Sequence, residues 1–127
     1  MKASISFPEL QSILQQKTEQ NFSFSSVDEK TVHMIYHWGI IKKSADLSII
    51  DVEGSDLLVK FDAGLGTDTL LSLLENKIPK NLIEKLPDRQ LLLHLDQIEQ
   101  VKNVFDAIQV DNIHVLANEL EVEGRLK

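Results

Sequence analysis

Apolar and polar residues alternate along this chain with two periods, and the switches between them mark out its elements. Ala3, Ile5 and Phe7 alternate with Lys2, Ser4 and Ser6, the period of a strand. From Phe7 the spacing lengthens. Phe7, Leu10, Ile13 and Leu14 form one stripe with Gln11, Gln15 and Gln16 opposite, which predicts a helix to about Lys17. Ser6 and Glu9 have capping-box spacing, and Pro8 is tolerated in a first helical turn. Phe22 and Phe24 alternate with serines as a second strand, and Asp28-Glu29-Lys30 turns into Thr31–Trp38. There the β-branched and aromatic residues put Val32, Met34, Tyr36 and Trp38 on one face, with His33, Ile35 and His37 on the other. Ile40–Val52 alternates until the pattern drifts at Ile49-Ile50, where a bulge would account for it. Beyond a turn at Glu53-Gly54-Ser55-Asp56, Leu57, Val59 and Phe61 form the inward side of the next strand.

The helical period returns at Gly64–Ile78. Leu70, Leu71, Leu73, Leu74 and Ile78 share somewhat less than half of the circumference, a face broad enough for a sheet to enclose. Thr67 suits the N-cap, Asp68 the positive end of the helix dipole, and Pro79 the stop. Asn81–Leu86 reads as one more helical turn between Pro79 and Pro87, and Arg89–Leu95 as strand. Asp96 and Glu99 repeat the capping-box spacing ahead of a helix carrying Ile98, Val101, Val104, Phe105 and Ile108. Val110–Val115 and Glu119–Leu126 close the chain as a hairpin turning near Ala117-Asn118. In its last strand Leu120, Val122 and Leu126 face inward, and Glu119, Glu121, Glu123 and Arg125 face water.

The order is therefore β-α-β-β-β-β-α-(α)-β-α-β-β, an α+β fold. Consecutive strands with short turns imply an antiparallel meander, and the amphipathic helices imply a curved antiparallel sheet packed on them. No low-complexity linker divides residues 1–127, so a single domain is expected.

Composition narrows the partners. With 127 residues, 43% of them hydrophobic, the chain can bury a core. A formal net charge of −7 repels phosphate, and the only adjacent basic pair, Lys42-Lys43, is too little for a nucleic-acid binder or for a protein held on anionic lipid by its overall charge, so nucleic acid is disfavoured. There is no cysteine, which removes disulfides, thiolate nucleophiles and zinc knuckles and is compatible with a reducing cytoplasm. No apolar run is long enough for an integral membrane segment, and MKASISFPEL lacks the apolar region of a secretion signal. A cytoplasmic location is the expectation.

Candidate chemistry is sparse. His33 and His37 share a strand face roughly 13 Å apart, too far for one metal ion. Gly64-Leu65-Gly66 lacks the third glycine of a dinucleotide fingerprint, and Asp68 would repel an anion. Glu119, Glu121 and Glu123 stand about 7 Å apart along one strand and read as a solubilising face. No catalytic motif, metal set or cofactor is therefore expected. The least favoured reading is a small enzyme pairing Asp62 with His94, with Tyr36 as the polar tip of its pocket. The stronger signal is apolar excess: Leu57-Leu58-Val59 and Leu91-Leu92-Leu93 put leucine on both faces of their strands, as in strands covered on both sides.

The segment RQLLLHLDQIEQVKNVFDAIQVDNIHVLANELEVEGRLK, Arg89–Lys127, contains a strand, a helix opened by Asp96 and a hairpin ending in an alternating acidic strand. In this pattern, and less specifically in the Phe7–Lys17 helix and the meander to Phe61, the chain resembles the tubular lipid-binding superfamily. That group includes the synaptotagmin-like mitochondrial lipid-binding domains. The resemblance implies a curved sheet around a long helix with acyl chains between them, Leu70, Leu71, Leu74 and Ile78 facing Val59, Phe61, Leu91 and Leu93. A non-enzymatic protein that binds a lipid or fatty acid is the first expectation. The alternative is a filled-core interaction module, self-associating as a homodimer through Ile35, Leu58 and Leu92.

Overall fold

Ser6 ends a strand and starts a helix in one step. In the computed structural model, β1 (Lys2–Ser6) runs directly into α1 (Phe7–Thr18). The Ser6 hydroxyl accepts the Glu9 N–H at 3.2 Å while the Glu9 carboxylate accepts the Ser6 N–H at 3.4 Å, a complete capping box. The structure describes residues 2–19, 21–64, 68, 71–72, 75–76 and 80–127, leaving aside the side chains of 17, 18, 38, 41, 100 and 101.

Four strands follow as a meander: β2 (Asn21–Ser26), β3 (Thr31–Trp38), β4 (Ile41–Glu53) and β5 (Asp56–Asp62), each antiparallel to the one before. The β3–β4 loop is two residues, Gly39-Ile40. Gly39 has φ +60 and Ile40 has no positive φ, the requirement of a type II′ hairpin turn. The expected bulge is present, with the β4–β5 register slipping between Ile49 and Asp51. Inward residues alternate as read: Val32, Met34, Tyr36, Leu57, Val59 and Phe61 are all buried.

Between β5 and β6, Asp68, Leu71, Ser72, Glu75 and Asn76 are helical, and Leu71 is buried. Thr67, Leu70, Leu73, Leu74, Ile78 and Pro79 lie outside the described residues. The extra helical turn expected at Asn81–Leu86 is corrected: Ile83–Leu86 is a strand, β6, pairing with β7 (Gln90–His94) from Ile83↔Leu93 to Leu86↔Gln90. So short a helix is unstable alone, whereas β7 offers an open edge that satisfies the β6 backbone. β7 pairs on its other side with β5, giving a six-stranded antiparallel sheet in the order β2-β3-β4-β5-β7-β6.

The second capping box is also corrected. Asp96 sits in a 3-10 turn, Leu95–Gln97, and α2 (Glu99–Ala107) begins after Ile98, whose side chain makes no cap hydrogen bond. Ile98 is extended and buried, so docking it into the core sets the start of the helix. Ile108, expected in that helix, opens β8 (Ile108–Val115), which pairs with β9 (Glu119–Leu126). β9 also pairs with β1, making a separate three-stranded sheet, β1-β9-β8, so the strands form two antiparallel sheets rather than one. Leu126, expected inward, is exposed: it is the last residue of β9, beyond Val122 and Gly124, which are buried on the same face. A Cβ on Gly124 would lie 2.3 Å from the Gln109 carbonyl oxygen, opposite a bulge between Val110 and Asn112. The acidic face of β9 is half-buried and paired, Glu121 with Lys2 at 3.7 Å and Glu123 with His114 at 3.2 Å.

The turn at residues 27–30 ties the sheets together. Lys30 Nζ donates to Asn112 Oδ1 at 2.6 Å and to the Ile113 carbonyl at 2.9 Å, while the Glu29 carbonyl accepts the Val115 N–H at 2.9 Å. Asp28 shapes the turn by accepting the Lys30 N–H at 2.9 Å, a bond that holds its carboxyl below the ordinary carboxylate value. Buried residues of both sheets, among them Tyr36, Phe61, Ile113 and Val122, belong to one hydrophobic core.

Candidate functional site: an apolar cavity

The period of the six-stranded sheet puts one residue from each neighbouring strand in line across its inner face. Ile49, Val59, Leu91 and Lys85 form such a row over β4, β5, β7 and β6; Leu57, Leu93 and Ile83 form the next. These rows are the floor of an interior cavity of about 130 Å³, to which every strand of that sheet contributes. Leu10 and Leu14 of α1, together with Leu71, Leu95, Ile98 and Leu120, complete the lining over that floor.

Of the residues expected at a ligand site, Val59, Phe61, Leu71, Leu91 and Leu93 all line this cavity. Leu70, Leu74 and Ile78 lie outside the described residues. The sequence reading missed Leu10 and Leu14, although their helical stripe was visible. It also missed Leu82, just before β6, and Ile83 and Lys85 within it, because a strand four residues long carries almost no periodic signal.

The lining is almost wholly apolar. Among the described residues around it, only Glu75 and Lys85 are charged, and Lys85 Nζ stands 3.8 Å from Glu75 Oε2 with both side chains substantially exposed. Their position marks the side where the cavity meets solvent. Arg89 and Asp68 make a second ion pair between the same two regions of chain, at 3.6 Å. Exposed pairs at these distances contribute at most about 1 kcal/mol each.

A smaller cavity of about 50 Å³ lies between β1, α2 and the inner side of the three-stranded sheet. Leu10, Leu57, Leu95, Ile98 and Leu120 border both cavities, so one layer of side chains separates them.

Acid–base candidates lie elsewhere. His94 Nδ1 is 2.8 Å from Asp56 Oδ1 and its Nε2 is 3.7 Å from Glu84 Oε2. It projects from the face of β7 opposite Leu91 and Leu93, and so away from the cavity. The partner considered from sequence, Asp62, is opposite Asp46 at the other end of β5, roughly 20 Å from Asp56. Tyr36, the third member of that constellation, is 1% exposed in the core, and burial raises its hydroxyl above the ordinary tyrosine value. The structure does not assemble these three residues. His33 is held by Asp46 at 2.8 Å. Among the described residues, no three histidine or acidic side chains converge as a metal site, and no helix is long and apolar enough to cross a membrane.

Leu58 and Leu92, expected at a subunit interface, face each other across β5 and β7 on the outer side of the sheet, half-buried. Ile50 is 48% exposed at the neighbouring bulge. Ile35 is not part of that patch: it pairs with Ser44, roughly 23 Å along β4 from the Asp51 that faces Leu58.

No protein-family model matches this chain, and neither does any curated protein or solved structure.

Proposed function

We propose that this is a non-enzymatic cytoplasmic protein that takes up an apolar, lipid-like ligand between the helical residues around Leu71 and the inner face of the six-stranded sheet. The observation that carries this reading is the cavity itself, empty space lined by leucine, valine, isoleucine and phenylalanine in a place where interiors are ordinarily close-packed. At about 130 Å³ it is smaller than the roughly 300–1,000 Å³ usual for ligand pockets. It is close in size to an engineered apolar cavity of about 150 Å³ that stays dry and binds benzene. It therefore suits a short acyl segment or a small ring. Rotation of the shared leucines toward the second cavity would lengthen it for a single extended chain. The kinship with tubular lipid-binding proteins is part of this proposal and rests on the residue pattern alone.

Native mass spectrometry of the purified chain and uptake of a dansyl-labelled fatty acid test it. The expected results are a bound lipid mass and a rise in dansyl fluorescence. Val59→Phe, which fills the cavity with an apolar group, should weaken uptake about tenfold or more, equivalent to at least about 1.4 kcal/mol. A bare mass together with no uptake would overturn the reading.

The patch formed by Leu58, Leu92 and Ile50 favours a second reading, a self-associating module that covers this outer face. Light scattering over a wide concentration range decides it: a strict monomer throughout removes self-association.

A further inference from the structure

The β3–β4 hairpin ends in a feature that the cavity does not use. Ile40, in the two-residue loop, is 103% exposed, the most exposed of the large hydrophobic residues described. An isolated exposed apolar side chain needs no explanation, but this one has particular surroundings. The loop's register partners Trp38 and Ile41 are apolar in sequence, and the next two residues are Lys42 and Lys43, the only adjacent basic pair in the chain. Residues 37–45 contain no carboxylate, in a chain whose net charge is −7. Two-residue hairpin loops favour glycine, asparagine, aspartate and serine, so isoleucine at the second position is not there for the turn.

Only the end of the hairpin lies beyond the strands paired with it: β5 stops pairing with β4 at Asp46↔Asp62, and β2 stops pairing with β3 at Asn21↔His37, opposite Lys42. Asp46, the nearest acid on β4, is engaged by His33 at 2.8 Å. At physiological salt, charges beyond about 8 Å are largely screened, so the contact depends on the charges nearest the tip more than on the net charge of the chain. Among the described side chains, none of residues 35–46 borders either cavity, and this inference does not depend on a ligand there.

We propose that the β3–β4 hairpin tip, Ile40 with Lys42 and Lys43, is a contact finger for anionic phospholipid surfaces. Ile40 enters the boundary between headgroups and acyl chains, as apolar side chains of peripheral proteins do, and the two ammonium groups stay among the lipid phosphates. The chain's overall charge of −7 would not hold it on anionic lipid; the complementarity is local, two exposed lysines without a carboxylate in residues 37–45 beside a fully exposed isoleucine, which pairs an apolar group with lipid phosphates at one point of contact.

Co-sedimentation of the full chain with vesicles tests the proposal, using phosphatidylcholine alone and phosphatidylcholine with added phosphatidylserine. Binding is expected only with phosphatidylserine and should fall as salt is raised. Ile40→Ser should reduce partitioning about tenfold, and Lys42→Gln with Lys43→Gln about thirtyfold, from roughly 1 kcal/mol per lysine. Circular dichroism should show both variants folded as the parent. No sedimentation, equal binding to both vesicles, or binding unchanged in both variants would each overturn the proposal. Association between protein molecules in vesicle-free buffer that Ile40→Ser abolishes would assign the tip to a second copy and overturn it as well.

Discussion

Tyr36 packs its ring against Phe22, centroids 5.2 Å apart, with 1% of its surface exposed. Burial opposes the charged phenolate, so its folded-state value lies above the ordinary one near 10. A raised value means that this contribution to stability is whole below about pH 10 and is lost as the pH climbs through the folded-state value. As the only tyrosine, Tyr36 can be followed by phenolate absorbance. Its ionisation should come late and coincide with unfolding, and Tyr36→Phe should move the alkaline unfolding limb upward. Ionisation at the ordinary value with the fold intact would contradict this. The burial of Tyr36 was legible because strict alternation with His33, Ile35 and His37 fixed its face. The role of Lys85 was not, since a lysine pointing inward from a short edge strand breaks the pattern that reveals strands.

Among elements, the two capping boxes are instructive because the spacing is the same and the outcome is not. Ser6–Glu9 closes as the spacing implies, since the strand before it ends at the cap. At Asp96–Glu99 the intervening Ile98 is buried at 3% exposure, and seating it in the core unwinds the turn where the cap would form. Local spacing could not report that tertiary demand. Ser6→Ala should therefore lower stability by about 1 kcal/mol, while Asp96→Ala should stay within about 0.5 kcal/mol, both measured by urea denaturation. Equal losses would mean that Asp96 caps after all. Hairpins and α1 were readable for the converse reason, because their registers are set by neighbours in sequence.

For the whole molecule, the two sheets share one core, and among the described residues they meet through few polar links, of which Lys30 makes two. Lys30→Met keeps the aliphatic stem and removes both hydrogen bonds, and should lower stability by roughly 1.5–3 kcal/mol in a single cooperative transition. No loss would show that core packing alone joins the sheets. The division into two sheets was not legible, because it depends on β1 choosing β9 over β2, a pairing between the most distant strands of the sequence. The cavity lining was legible in part: Val59 and Phe61 fall on it by alternation, whereas leucine on both faces of β7 left the side of Leu91 and Leu93 to the resemblance.

That pairing of β1 with β9 sets a timetable for biosynthesis. On the ribosome the meander β2–β5 can zip up as it emerges, each strand beside its predecessor. β1 must wait for β9 before its backbone is matched, Lys2 with Glu123. Until then Ala3 and Ile5 have no partner strand, and a nascent chain halted before residue 119 presents them to chaperones rather than to its own sheet.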